Sequence, residues 1–106
     1  MGGKRGWGMN RFSNNAGAFH IEPAPSQPQM AHCHGFFVRY GMRGRGHGHV
    51  LKELQMQMLK RLGYDFATCT VDAGNAAQIT ILQQSGWRML AEFANSKSGG
   101  KTQLWG

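Results

Sequence analysis

The chain has 106 residues, with 12 Lys and Arg against five Asp and Glu, for a formal net charge of +7. That length suits one core of modest size, and the charge gives a broadly cationic surface that attracts polyanions, whether phosphate-bearing small molecules, nucleic acid or an acidic protein face. Two cysteines make no disulfide framework, no apolar run approaches the ~20 residues of a membrane helix, and the glycine-rich, charged start lacks the apolar centre of a signal peptide, so a cytoplasmic location is expected.

Residues 1–16 read as a flexible basic lead-in to a single domain over residues 17–106. Lys4, Arg5 and Arg11 alternate there with Trp7 and Phe12, a mixture that either packs Trp7 on the domain or stacks on single-stranded nucleic acid. Residues 17–22 alternate as a strand does, and Pro23, Pro25 and Pro28 predict an exposed connection after it. A second strand is expected over 31–40, with a bulge at Gly35. From His47 to Leu62 the spacing of Leu51, Leu54, Met58 and Leu62 predicts a helix with one buried stripe, Lys52, Glu53, Lys60 and Arg61 lying outside it and Gly63 closing it. Residues 64–71 give a buried strand parallel to the previous one, since a helix joins them. A short helix from Asn75 or Ala76 to Gln84, capped by Gly86, precedes two strands over 87–93 and 102–105, with a turn at 95–101 between them.

The segment between the second strand and the first helix carries the chemistry. Gly44, Gly46 and Gly48 alternate with Arg43, Arg45, His47 and His49 where the helix opens. A helix N-terminus offers unpaired N–H groups and partial positive charge, and glycine lets a phosphate come close to the backbone. The spacing is neither the G-x-G-x-x-G of dinucleotide folds nor the Gly-Lys-Ser/Thr of nucleotide triphosphatases.

Arg43-Gly44-x-Gly46-x-Gly48, with Val38 five residues before the arginine and Leu51 eight after it, resembles the acyl-coenzyme A loop of the GCN5-related N-acetyltransferases, the GNAT family. Asn75, the helix after it and Ser85-Gly86-Trp87 resemble the same family's second motif, and the two together cover residues 36–90. The resemblance implies an α/β (α+β) fold, a GNAT-like mixed central sheet with splayed strands and flanking helices. It is shortened at the N-terminus, because only 37 residues precede Val38 where the family places two helices and three strands. It implies acetyl-CoA as cofactor, held at the pyrophosphate by the amides from Arg43 to His49, with Arg43 and Arg45 adding charge. His47 and His49 would cover phosphate oxygens or fill variable loop positions. Phe37 and Val38 would bind the pantetheine arm through their backbone, and Asn75 would face that arm. A compact form of this kind looks like bacteriophage-encoded members, which would make a host protein or a nucleic-acid factor the acceptor, and a homodimer is a reasonable assembly.

The chain departs from the family at one position. Leu82 stands where the tyrosine that protonates the leaving thiol is usual. A general base must come from the strands lining the acceptor groove, and His32, His34 and Glu22 are the candidates; His32 and His34, two apart, share one strand face. The histidine pairs of 32–34 and 47–49 have zinc-like spacing, but the intervening Cys33 would face away, so no metal is expected. Two other readings remain: a basic nucleic-acid binder contacting phosphates through Arg39, Arg43 and Arg45, and a degenerate coenzyme-binding relative that acts through a partner.

Overall fold

A computed structural model describes residues 10–106. Its strands are β1 (Asn10–Ser13), β2 (Gly17–Ala24), β3 (Gln27–Val38), β4 (Phe66–Asp72), β5 (Met89–Ala94) and β6 (Lys101–Trp105), and its α-helices are α1 (His47–Arg61) and α2 (Ala76–Gln84). They form one six-stranded sheet in the order β1-β2-β3-β4-β6-β5, in which β3 and β4 are parallel and every other pair is antiparallel. The parallel pair follows from the α1 crossover, which returns the chain to the same end of the sheet.

Register assigns the two faces. Ile21, Cys33, Cys69 and Trp105 lie abreast across four strands. With Phe19, Ala31 and Val71 they meet Leu51 and Leu59 of α1, Leu82 of α2 and Trp87 in one core. The opposite parity puts His20, Glu22, His32, His34, Thr68 and Thr70 on the other face, away from that core.

Three expectations about elements need correction. The sheet starts at Asn10, inside the segment read as lead-in, because Asn14 Oδ1 accepts from the N–H groups of Ala16 and Gly17 (2.8 and 3.1 Å) and folds β1 back on β2. Lys4, Arg5 and Trp7 lie outside the described residues. The three prolines do not make a long connection, since only Pro25 and Ser26 form the turn, with Ser26 at a φ of 64°. Pro23 and Pro28 stay in strands because β1 pairs β2 only as far as Ile21 and β4 pairs β3 only from Met30, so neither missing N–H breaks a ladder. Finally, Lys52 is buried: the inner face of α1 is Leu51, Lys52, Gln55 and Leu59, while Leu54, Met58 and Leu62 are only partly covered.

Both helices end where the glycines were expected to end them. Gly63 donates to the Lys60 carbonyl and Gly86 to that of Gln83.

Candidate active site

The strands β3 and β4 part midway. Their pairs run from Met30 with Phe66 to Cys33 with Cys69, and then stop, although β3 continues to Val38 and β4 to Asp72. Against β2 the register slips between Ala18, which faces Phe37, and His20, which faces His34, so β3 carries an extra residue there. That residue is the expected bulge at Gly35, whose φ is +66°. The bulge bends β3 away from β4 and leaves a wedge-shaped cleft whose β3 wall has backbone groups with no strand partner on that side.

A cavity of about 210 Å³ fills the apex of this cleft, between Cys33 and Cys69, with Lys52, Gln55 and Leu82 in its wall. A second cavity of about 530 Å³ continues outward to the glycine turn, and Phe36, Asn75 and Gln78 line both. Phe37, Val38, Arg43, Gly44, Gly46, Gly48 and His49 surround the outer cavity. Arg45 and His47, expected to join them, do not line it. A short 3-10 turn, Tyr40–Met42, bends the chain from β3 into this loop.

The loop has the features that anion binding needs. Gly46 caps α1 with a φ of 81° and Gly44 has a φ of 77°, backbone angles at which L side chains are strained. Between Gly44 and His49 no N–H group donates to a backbone carbonyl; the first that does is Val50, to Gly46 at 3.3 Å. Gly48 serves a different purpose: a Cβ there would lie 2.6 Å from Ile81 Cδ1, so its lack of a side chain lets α1 and α2 approach. Arg43 Nε donates to the Val38 carbonyl at 3.0 Å, which ties the loop to the end of β3. Asn75 Oδ1 caps α2 by accepting from Gln78 N–H at 3.2 Å.

On the sheet's other face the three candidate bases lie together. His34 Nε2 is 3.5 Å from Glu22 Oε2, an ion-pair separation too loosely aligned to be a hydrogen bond. His32 Nδ1 is 3.0 Å from Thr68 Oγ1. Burial lowers the His32 pKa, and neighbouring His34 lowers it further, against a smaller opposing effect of Glu22. A histidine that the sequence reading passed over completes the row: His20 stacks on His34 with ring centroids 5.0 Å apart. The signal was present, since His20 and Glu22 are two apart and share a strand face. Among the described residues no group of three or more His, Cys, Asp or Glu is placed to hold a metal, and no helix is long and apolar enough to cross a membrane.

The split sheet, glycine turn and crossover helix define the fold of the GNAT acetyltransferases. The similar solved structures include an IAA acetyltransferase from Bacillus cereus (TM-score 0.76, 14% identity, 85% of this chain and 67% of that one). An acetyltransferase from Bacillus subtilis in complex with CoA matches at a TM-score of 0.73 and 17% identity, over 89% of this chain and 70% of that one. A ribosomal-protein-alanine N-acetyltransferase from Brucella melitensis matches at 0.73 and 15% identity, over 85% of this chain and 59% of that one. No protein-family model matches the sequence, nor does any curated protein.

Proposed function

We propose that this chain is a GNAT-family N-acetyltransferase that moves an acetyl group from acetyl-CoA to a primary amine. The observation that carries the reading is the cleft that opens where β3 and β4 part beyond Cys33 and runs out to a helix N-terminus whose amides lack backbone partners. Acetyl-CoA has the matching chemistry in the matching order: a pyrophosphate for the amides at 44–49, then an amide-bearing arm that can pair with the open edge of β3 at Phe37 and Val38, then a thioester for the apex. Held there, the acetyl donor is positioned for attack, which supplies much of the rate enhancement of such transfers.

The acceptor amine approaches from the face carrying His20, Glu22, His32 and His34. An amine must lose a proton as it attacks. In this reading His34, oriented by Glu22, takes that proton directly or through water, and His32, kept neutral by burial, is the neighbouring alternative. The acceptor is an amine on a protein or another molecule; a ribosomal protein is named for two structural neighbours, which supports the protein class. Among the described residues strand β5 pairs on one side only, and its Met89, Leu90 and Phe93 are each half exposed, which supports a homodimer as the working assembly.

The test is mass spectrometry of candidate amines and lysine-containing peptides after incubation with acetyl-CoA and the full chain. Growth of a product heavier by one acetyl group, dependent on His34, supports the reading. Coenzyme binding without any product supports the degenerate relative, in which Leu82 has replaced the acid. Tight, salt-sensitive binding of nucleic acid that coenzyme A does not displace supports the nucleic-acid binder.

A further inference from the structure

Two polar side chains are buried among the described residues, Lys52 with 2% of its surface exposed and Gln55 with none. Both stand on the inner face of α1 and line the apex of the β3–β4 cleft. Lys52 Nζ donates to Gln55 Oε1 at 2.6 Å and lies 4.1 Å from the Trp87 ring centroid and 5.1 Å from that of Phe36. No carboxylate is paired with it. Gln55 Nε2 has no hydrogen-bond partner among the described residues.

This arrangement leaves two buried donors short of acceptors. Removing an ammonium from water is costly, the ring faces return only part of that cost, and an orphaned amide N–H adds its own desolvation penalty. Both groups are donors and both border one cavity, so they call for an acceptor atom brought by a ligand. The outer cavity leads to this apex past Phe36, Asn75 and Gln78. Leu82, in the same wall, offers only hydrocarbon.

We propose that Lys52 is the proton donor to the leaving thiol of acetyl-CoA, held in place by Gln55, whose free N–H receives the same end of the substrate. The proposal rests on the acetyltransferase reading and assigns the acid that Leu82 cannot supply. The acceptor nitrogen forms its bond to the acetyl carbon and the carbon–sulfur bond breaks, its electron pair going to sulfur. Sulfur takes a proton from Lys52 Nζ, and the neutral lysine regains one from water, balancing the proton the amine releases. Burial lowers the Lys52 pKa, which makes the proton easier to give, while the two ring faces favour the ammonium form beforehand. The titratable groups facing it are Cys33 on β3 and Cys69 on β4, and α2 contributes none; His34 and Asp72 border the same cavity from the opposite strand parity. Burial pushes the Cys33 thiol up to about 12 and raises that of Cys69, so both stay neutral beside the lysine.

The test needs no acceptor. The thiol of coenzyme A bound to the full chain is titrated by thiolate absorbance, with the desulfo-coenzyme A complex as blank. A neighbouring ammonium should lower the bound thiol's pKa by about one unit, a tenfold gain in thiolate at fixed pH. Lys52→Met should raise it to the free value or above while binding desulfo-coenzyme A within about threefold of the parent chain, the scale of a modest affinity change. A parent complex whose thiol titrates at or above the free value overturns the proposal without any variant, and so does a Lys52→Met complex that titrates as the parent does. Acetylation found on Lys52 itself overturns it too, since the lysine would then be an acceptor. Failure of coenzyme A to bind at all sinks the acetyltransferase reading together with this one, an outcome distinct from the other three.

Discussion

Gly35 lies flat against the ring of His20: a Cβ on the glycine would stand 2.6 Å from His20 Nδ1 and 3.3 Å from Cε1. The contact joins the two halves of the site. The bulge that opens the β3–β4 cleft on one side is packed on the first ring of the histidine row on the other.

Gly35→Ala should therefore damage both. The left-handed φ of +66° costs an L residue about 1–2 kcal/mol, and forcing a methyl into an aromatic ring costs about 1–3 kcal/mol. A loss of about 2–5 kcal/mol in urea unfolding is expected from these two costs. The surviving folded protein should bind coenzyme A more weakly, because β3 escapes the strain by straightening toward β4. An unchanged midpoint would show that the bulge is not needed.

The three loop glycines should separate by mechanism. Gly44→Ala and Gly46→Ala meet open space and should lose about 1–2 kcal/mol each from φ alone. Gly48→Ala gains about 1 kcal/mol of helix propensity and gives up about as much by pushing Ile81 off its rotamer, so it should be near neutral. Gly48→Leu cannot be absorbed and should cost about 1–3 kcal/mol. Urea midpoints for the four variants check the order.

Arg43 and Arg45 should not behave alike. Arg43 borders the outer cavity and is anchored to Val38 O, whereas Arg45 is outside the lining. Losing a charge-assisted contact costs about 1.5–3 kcal/mol, so Arg43→Ala should weaken coenzyme A by roughly tenfold or more. Arg45→Ala should change it by about twofold, the scale of a screened surface charge. Calorimetry at one fixed salt concentration measures both.

Stability should fall on mild acidification through His32. Burial places its folded pKa below the free value of about 6.5, so its contribution is complete above that pH. As pH falls from about 6.5 through the lowered value, the unfolded chain takes up the proton first and stability is lost. His32→Gln should flatten this part of the curve. Urea midpoints measured between about pH 7.5 and 5 for the two proteins provide the check, with parallel curves as the contrary result.

What could be read from residues alone was whatever local geometry dictates. Gly44 and Gly46, the Asn75 cap, and Gly63 and Gly86 at the helix ends are each decided within a few residues. So is the Gly35 bulge. The prolines misled because their effect depends on which strand edge has a neighbour, and that is a property of β1 and β4 rather than of residues 23–28. Lys52 and Gln55 were hidden by their polarity: with Gly48 and Leu59 they follow helical spacing, yet two polar residues on a helix read as a solvated face. His20 required the register that places it on His34. Arg45 and His47 were expected at the ligand because the motif contains them, whereas the turn brings Arg43, Gly44, Gly46, Gly48 and His49 to the cavity and leaves those two outside its lining.

The central claim is that the split sheet and the glycine turn together bind acetyl-CoA, and titration calorimetry of the full chain with coenzyme A tests it most directly. Saturable binding of one coenzyme per chain is expected, abolished in Gly46→Glu, where a carboxylate at the helix N-terminus repels the pyrophosphate. Absence of heat at millimolar coenzyme, or binding that Gly46→Glu leaves intact, would contradict it.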